Sequence, residues 1–253
     1  MSNYLKKLIV EPGSKIRLKH FDPGYHGKHE SHKSALPEIE ENLQKMEGLQ
    51  YLMYAENKHS LLIVLQGLDA GGKDGVVRHV LTGMNPSGCI SVNFKQPTTE
   101  DLAHDFLWRV HPHVPAKGSV AIFNRSHYED VLVARVHGLV PEKVWSKRYD
   151  QINDFEQLIS TENNTTILKF FLHISKEEQL AGSRSDWMTR LASGRSVNRT
   201  TKNAIIGVIT LRRSRMRSLR RVPSAPPGSS SLQTISGSAI CPFRRSLPAR
   251  WKK

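Results

Sequence analysis

Acid is what this chain lacks, and it lacks it in one place only. Its 253 residues hold 37 Lys and Arg against 23 Asp and Glu, a formal net charge of +14. Residues 1–180 carry 21 basic and 22 acidic side chains, a net of −1. Residues 181–253 carry 16 basic side chains and only Asp186, a net of +15, and the two sums return +14. A basic charge confined to one end gives no support for a nucleic-acid-binding face on the first 180 residues. Cysteine is also scarce. Cys89 and Cys241, far apart in sequence, suit neither a disulfide framework nor a thiolate metal site. No apolar run approaches the roughly 18–20 residues of a membrane span. The start, with Lys6 and Lys7, lacks the apolar stretch of a secretory signal. What remains is a chain with 38% apolar residues, enough for one α/β core with helical additions. The expectation is a cytoplasmic protein, with neither a membrane nor a dedicated nucleic acid as partner.

The pattern along the chain supplies the architecture. Residues 1–30 mix Lys, Arg, Pro and Gly around the alternating piece Ile16-Arg17-Leu18-Lys19 and read as an arm over the core. Residues 36–56 place Leu43, Met46, Leu49, Leu52 and Met53 at helical spacing. Strands are expected over 61–65, 90–94, 120–123 and 166–172. Helices are expected over 73–81, 102–110 and 131–137, and over 141–158, where Pro141 suits a first turn. Strands separated by helices predict an α/β fold with a mainly parallel sheet covered on both faces. In such a sheet the ligand sits at the carboxyl ends of the strands, so the loops after Leu65 and Phe123 should open into one site. Three segments follow: an N-terminal arm and helix packing on the core (1–56), the core itself (57–180), and an aberrant basic segment (181–253) expected to be disordered or poorly packed.

The loop Gly67-Leu68-Asp69-Ala70-Gly71-Gly72-Lys73-Asp74 follows the first of these strands directly. Glycines there let successive backbone amides, with those of Ala70, turn inward toward phosphate oxygens, and a helix N-terminus adds its positive dipole. Lys73 supplies a mobile charge. The usual phosphate loop has Ser or Thr after its lysine to bind magnesium; here Asp74 stands in that place, and Asp69 lies inside the loop. A carboxylate beside phosphates repels them unless a metal or a transferable proton intervenes. Asp69 is therefore assigned to metal or acceptor-phosphate handling, and Asp74 to metal support. The competing reading is a glycine-rich turn with surface charges.

A second constellation, Asn124, Arg125, Glu129 and Asp130, follows the strand 120–123, with Arg135 beyond it. An arginine at the end of a neighbouring strand is placed to balance charge on a moving phosphoryl group. Glu129 could hold a metal through water; a helix cap with a salt-bridge set is the alternative. His127 and Tyr128 read as structural or stacking residues, and Lys95 as a phosphate contact or a plain surface charge.

These residues carry a likeness. Leu65-Gln66-Gly67-Leu68-Asp69-Ala70 with Gly72-Lys73-Asp74-Gly75 resembles the phosphate loop of the polyphosphate kinase 2 family. So do Gly83-Met84-Asn85-Pro86, the stretch from His104 through Trp108-Arg109-Val110-His111, and Phe123-Asn124-Arg125-Ser126-His127-Tyr128-Glu129-Asp130-Val131. The likeness runs from about residue 12 to residue 180. It implies a P-loop kinase-like three-layer sandwich that moves a terminal phosphoryl group between inorganic polyphosphate and a nucleotide, with Mg2+. The single-domain form it resembles mainly phosphorylates nucleoside diphosphates, so ADP/ATP or GDP/GTP are the implied partners, and members pair as homo-oligomers. By the same resemblance Asp69 is a catalytic carboxylate, Lys73 the phosphate-binding lysine, and Asn124 with Arg125 the second-strand motif. Many relatives carry Asp where Asn124 stands, which lessens a metal role there. The alternatives are an ATP-dependent nucleoside monophosphate kinase and an inactive polyanion-binding protein.

After Leu180 the likeness stops, where the family continues with a charged helical lid and a last strand. A one-base shift of reading frame near codon 181 accounts for this. Residues 182–190 can be encoded so that the same bases, read one base earlier, give Arg-Phe-Lys-Glu-Arg-Leu-Asp-Asp-Pro, similar to the family's lid. Residues 191–207 permit Ala-Arg-Gln-Trp-Lys-Ile-Ser-Glu-Ser-Asp-Tyr-Lys-Glu-Arg-Asp-Tyr-Trp, and residues 229–239 permit Val-Ile-Pro-Ser-Asn-His-Lys-Trp-Phe-Arg, similar to the final strand. The alternative is a genuine basic tail that binds polyanion. With the lid replaced, low activity is expected, together with poor stability from the lost packing of the last strand.

Overall fold

A computed structural model describes residues 8–10, 17–81, 83–136, 138–192 and 232–236. Ser31 opens the first long helix, α1 (His32–Glu56). Its hydroxyl accepts from Ser34 N–H while the Ser34 side chain bonds back to Ser31, and Asn57 closes the helix in the left-handed conformation at φ 49°. The helix begins four residues before the apolar spacing predicts, because the cap rather than the first leucine sets its start. Strand β2 (Ser60–Gly67) follows, its run Leu61 to Leu65 buried. Then come α2 (Lys73–Leu81), β3 (Cys89–Asn93), α3 (Thr99–Ala103), β4 (Val120–Asn124) and α4 (Glu129–Val136). Helices α5 (Glu142–Trp145) and α6 (Arg148–Glu162), β5 (Thr165–His173) and α7 (Lys176–Ala192) complete the main body. Two short strands stand apart in sequence, β1 (Ile9–Val10) and β6 (Leu232–Ser236).

The sheet order is β1-β6-β5-β2-β4-β3. Strands β6, β5, β2, β4 and β3 run parallel, and β1 is antiparallel to β6. Alternate residues of the central strands enter two separate cores. Leu61, Ile63 and Leu65 pack with Met46 and Met53 of α1 and with Val76 and Val77 of α2. Leu62 and Val64 pack with Phe123 and with Phe155 and Ile159 of α6. The result is the expected three-layer α/β sandwich, and the continuous apolar run of β2 reflects burial on both faces.

All the parallel strands point their carboxyl ends toward one rim. The opposite rim is laced shut: Ser60 N–H donates to Asn164 O at 3.3 Å, Gly118 N–H to His59 O at 2.7 Å, and Asn163 Nδ2 to Pro115 O at 2.7 Å.

Two helical expectations are corrected. Residues 102–110 are helical only as far as Ala103. Asp105 then takes Leu107 N–H on its own Oδ1 at 2.9 Å, a local turn that competes with the helix. Residues 141–158 form α5 and α6, interrupted at Ser146–Lys147, and Pro141 caps α5 rather than entering it. At the far end α7 carries on past residue 181 to Ala192. At backbone level the sheet also keeps a strand beside β5, Lys169–His173 pairing with Leu232–Ser236. The expectations for residues 193–231 and 237–253 lie outside the described residues.

Candidate functional site: two loops at the carboxyl rim

The loop from Gly67 to Lys73 and the turn from Asn124 to Tyr128 leave neighbouring strands, Leu65 lying opposite Asn124 in the β2–β4 register. Each loop holds a non-glycine residue in the left-handed region, Ala70 at φ 58° and Arg125 at φ 65°. Gly72 adopts φ 78°, where a side chain would be strained. Non-glycine residues of this kind cluster at ligand clamps, where surrounding contacts over-determine them. Gly67 lies so close to Leu172 that a Cβ would meet its side chain and carbonyl at 3.1 Å.

The charges converge. Lys73 is buried, and its Nζ donates to Gly67 O at 2.9 Å and to Leu68 O at 2.7 Å. Burial, and then the Arg125 guanidinium, push its pKa below the ordinary lysine range. Arg125 Nη2 reaches Asp69 Oδ1 at 2.5 Å across the two loops. Asn124, itself buried, donates from Nδ2 to Asp74 Oδ1. Burial pushes the Glu129 carboxyl up, against the pull of Arg125 and Lys73. The structure thus brings Asp69, Lys73, Asp74, Asn124, Arg125 and Glu129 into one electrostatic group.

Two further expected phosphate contacts, Lys95 and Arg135, have other neighbours. Lys95 is exposed beyond β3, and its carbonyl accepts from Arg109 Nη1 at 2.8 Å. The Arg135 guanidinium lies over the Trp145 ring, 5.0 Å from its centroid.

Supporting residues surround the two loops, and of these Gln179, Gly182 and Arg148 escape a sequence reading. Gln66 Nε2 donates to Ser126 Oγ at 2.5 Å and joins the two loops at their roots. Gln179 of α7 donates to Asp69 O at 3.1 Å. Gly182 sits so close that a Cβ there would meet Ala70 O at 3.1 Å. Arg109 Nη2 pairs with Asp130 Oδ2 at 2.8 Å, and Arg148 Nη1 donates to Asp130 O at 2.8 Å. Gln66 was signalled by its place directly before the first loop glycine; the helix-borne partners carry no such mark.

The lysine of this loop rests on backbone carbonyls and the neighbouring arginine on a carboxylate, and comparison with known proteins adds to that geometry. Residues 29–187 match the family described as polyphosphate kinase 2. The chain belongs to the polyphosphate kinase 2 family. It is 54% identical over 176 residues to the AMP/ADP-polyphosphate phosphotransferase of Meiothermus ruber, which covers 69% of this chain and 66% of that protein. It is 42% identical over 190 residues to the ADP-polyphosphate phosphotransferase of Rhodopseudomonas palustris, covering 69% of this chain and 64% of that one. It therefore spans just under two thirds of the length of these relatives. The crystal structure of polyphosphate kinase 2 from Arthrobacter aurescens superposes with a TM-score of 0.74 at 31% identity, over 97% of this chain and 83% of the other. No described helix is long and apolar enough to cross a membrane.

Proposed function

We propose that the chain is built to move a terminal phosphoryl group reversibly between inorganic polyphosphate and a nucleoside diphosphate, ADP or GDP. The observation that carries this reading is the Asp69–Arg125 pair spanning the two loops, with Lys73 held beside it on loop carbonyls. Arg125 closes on Asp69, and Lys73 on the loop carbonyls. An arriving phosphate chain gives Lys73 and the loop amides a new set of acceptors, and Arg125 can turn from Asp69 to the group in flight. Asp69, so released, orients the acceptor phosphate. Gln66, through Ser126, keeps the two loops at fixed separation.

Among the described residues no three carboxylate, histidine or cysteine groups gather as a metal cage. Magnesium in phosphotransfer sites is commonly held by one or two carboxylates together with substrate phosphates, and Asp69 and Asp74, with Glu129 through water, fit that role. Bound there, Mg2+ would neutralise charge on the bridging oxygens. A cytoplasmic setting and a homo-oligomeric state accompany this reading.

The deciding experiment follows ATP formation from ADP and polyphosphate. Turnover with ATP and a nucleoside monophosphate, but none with polyphosphate, would instead make the protein an ATP-dependent monophosphate kinase. AMP belongs in the same assay as an acceptor, because the Meiothermus ruber relative is named for both AMP and ADP.

The chain as written is proposed to be impaired. Its family match ends at residue 187, and +15 of net charge falls in residues 181–253. A lid that excludes water and completes the charge clamp is not expected from that sequence. Sequencing the gene across codon 181 tests the cause, and an intact frame there sinks it. Deleting residues 181–253 tests the alternative of a polyanion-binding tail, which predicts that polyanion binding disappears while the core stays folded.

A further inference from the structure

Beneath the Arg125 turn lies a buried charged cluster that phosphoryl transfer does not itself require. The His127 ring is fully buried, with Nε2 at 3.1 Å from Glu156 Oε1. The Tyr128 hydroxyl donates to the same oxygen at 2.9 Å. Lys169 Nζ bonds the other carboxylate oxygen and donates to the Tyr128 hydroxyl oxygen at 2.8 Å. Glu156 comes from α6, Lys169 from β5, and His127 and Tyr128 from the turn after β4, so one carboxylate ties three elements together. Burial raises the Glu156 carboxyl, but the Lys169 ammonium and the His127 contact outweigh it and hold the pKa down at about 2. Burial and the neighbouring Glu156 push the Tyr128 phenol well up, so it remains a donor.

A buried ion pair is a poor device for stability alone, since desolvation offsets most of its attraction. Its place in the molecule suggests another use. Arg125, two residues before His127, holds the left-handed backbone that a non-glycine residue keeps only when its surroundings impose it. On one side the turn is fixed by Arg125 N–H on Leu65 O at 3.1 Å and by Gln66 on Ser126 Oγ. On the other side the polar anchor is Glu156. The His127 ring even leaves its buried Nδ1 without a partner while its Nε2 meets that carboxylate.

We propose that Glu156 is a positioning residue for Arg125: acting through His127 and Tyr128, it holds the turn after β4 in the one conformation that aims the guanidinium across at Asp69 and the phosphate loop. The geometric part stands alone; only the consequence for phosphate binding rests on the proposed function.

Amide hydrogen exchange on the full chain tests the geometric part. In Glu156→Gln, amides 125–129 should lose about tenfold more protection than those of Ala121 to Phe123 in β4. Ile159→Ala, which opens a cavity on the same helix, should lower protection across β4 and the turn alike. Tripolyphosphate titration tests the consequence. Glu156→Gln should weaken binding about as much as Arg125→Ala, and the double variant should bind no more weakly than Arg125→Ala alone. A uniform loss of protection in Glu156→Gln, or additive losses in the double variant, would overturn the proposal. Should Glu156→Gln not fold, Tyr128→Phe removes the hydroxyl's two bonds, to Glu156 and from Lys169, and no charge, and the same selective loss is expected on a smaller scale. A parent chain that binds ATP but no tripolyphosphate would count against the proposed function, and the exchange measurement would still decide the positioning role.

Discussion

Lys73 is held as an ammonium against the preference of its surroundings, since burial favours its neutral form. Its pKa is lower folded than unfolded, so as pH rises the folded state releases this proton first. The unfolded chain then binds more protons, and this residue's contribution to stability grows with pH from the lowered value up toward 10.5. Lys73→Met should accordingly leave the melting temperature unchanged or raise it while abolishing phosphate binding, a dissociation that calorimetry beside titration would reveal. The glycines make a sharper contrast. A Cβ on Gly71 would stand 2.6 Å from Leu68 O, whereas nothing lies within 4 Å of one on Gly75. Gly71→Ala should destabilise by about 1–3 kcal/mol and spoil the loop, while Gly75→Ala, inside α2, should stabilise by about 0.5–1 kcal/mol. Denaturant melts of the two variants check both signs. At this scale the loop residues were legible, because glycine, lysine and strand stand next to one another in sequence. Gln179 and Glu156 were not, because what gives each its partner is the packing of a helix on the sheet, which leaves no local spacing to read.

Among the elements, β2 and β4 declared themselves by unbroken apolar runs, which only strands buried on both faces need. Leu102, Phe106 and Val110 have helical spacing as well, yet Asp105 captures the local amides and the helix ends at Ala103. Periodicity reports which side chains seek the core, not which backbone partner wins. The central strands should carry the fold: Phe123→Ala, at a fully buried position of β4, should cost about 3–5 kcal/mol in equilibrium unfolding. The junction of α6, β5 and the turn adds an acid sensitivity. Glu156 titrates near 2 folded against an ordinary value of 4.5, so the unfolded chain takes up this proton first as the solution is acidified. The stability it confers is complete above 4.5 and is lost as pH falls toward 2. Glu156→Gln should flatten that part of the stability profile, which acid titration followed by circular dichroism would record.

On the scale of the whole molecule the charge is divided between an almost neutral body and a basic end. A frame-restored version should turn over polyphosphate and ADP far faster than the chain as written, and equal rates would show that the basic end does no harm. If that end binds polyanion, as the alternative reading has it, the binding should weaken steeply with salt, as Lys and Arg contacts to phosphate do. The parallel sheet carries one more consequence. Because every loop of the site leaves from the carboxyl rim, and the opposite rim is tied by Ser60, Gly118 and Asn163, the molecule has a front and a back. Lys117 lies on the back and is exposed. A protein tethered to a solid support there should bind nucleotide as it does in solution, while one tethered at Lys95 should be obstructed: the fold offers a handle on the side away from its chemistry.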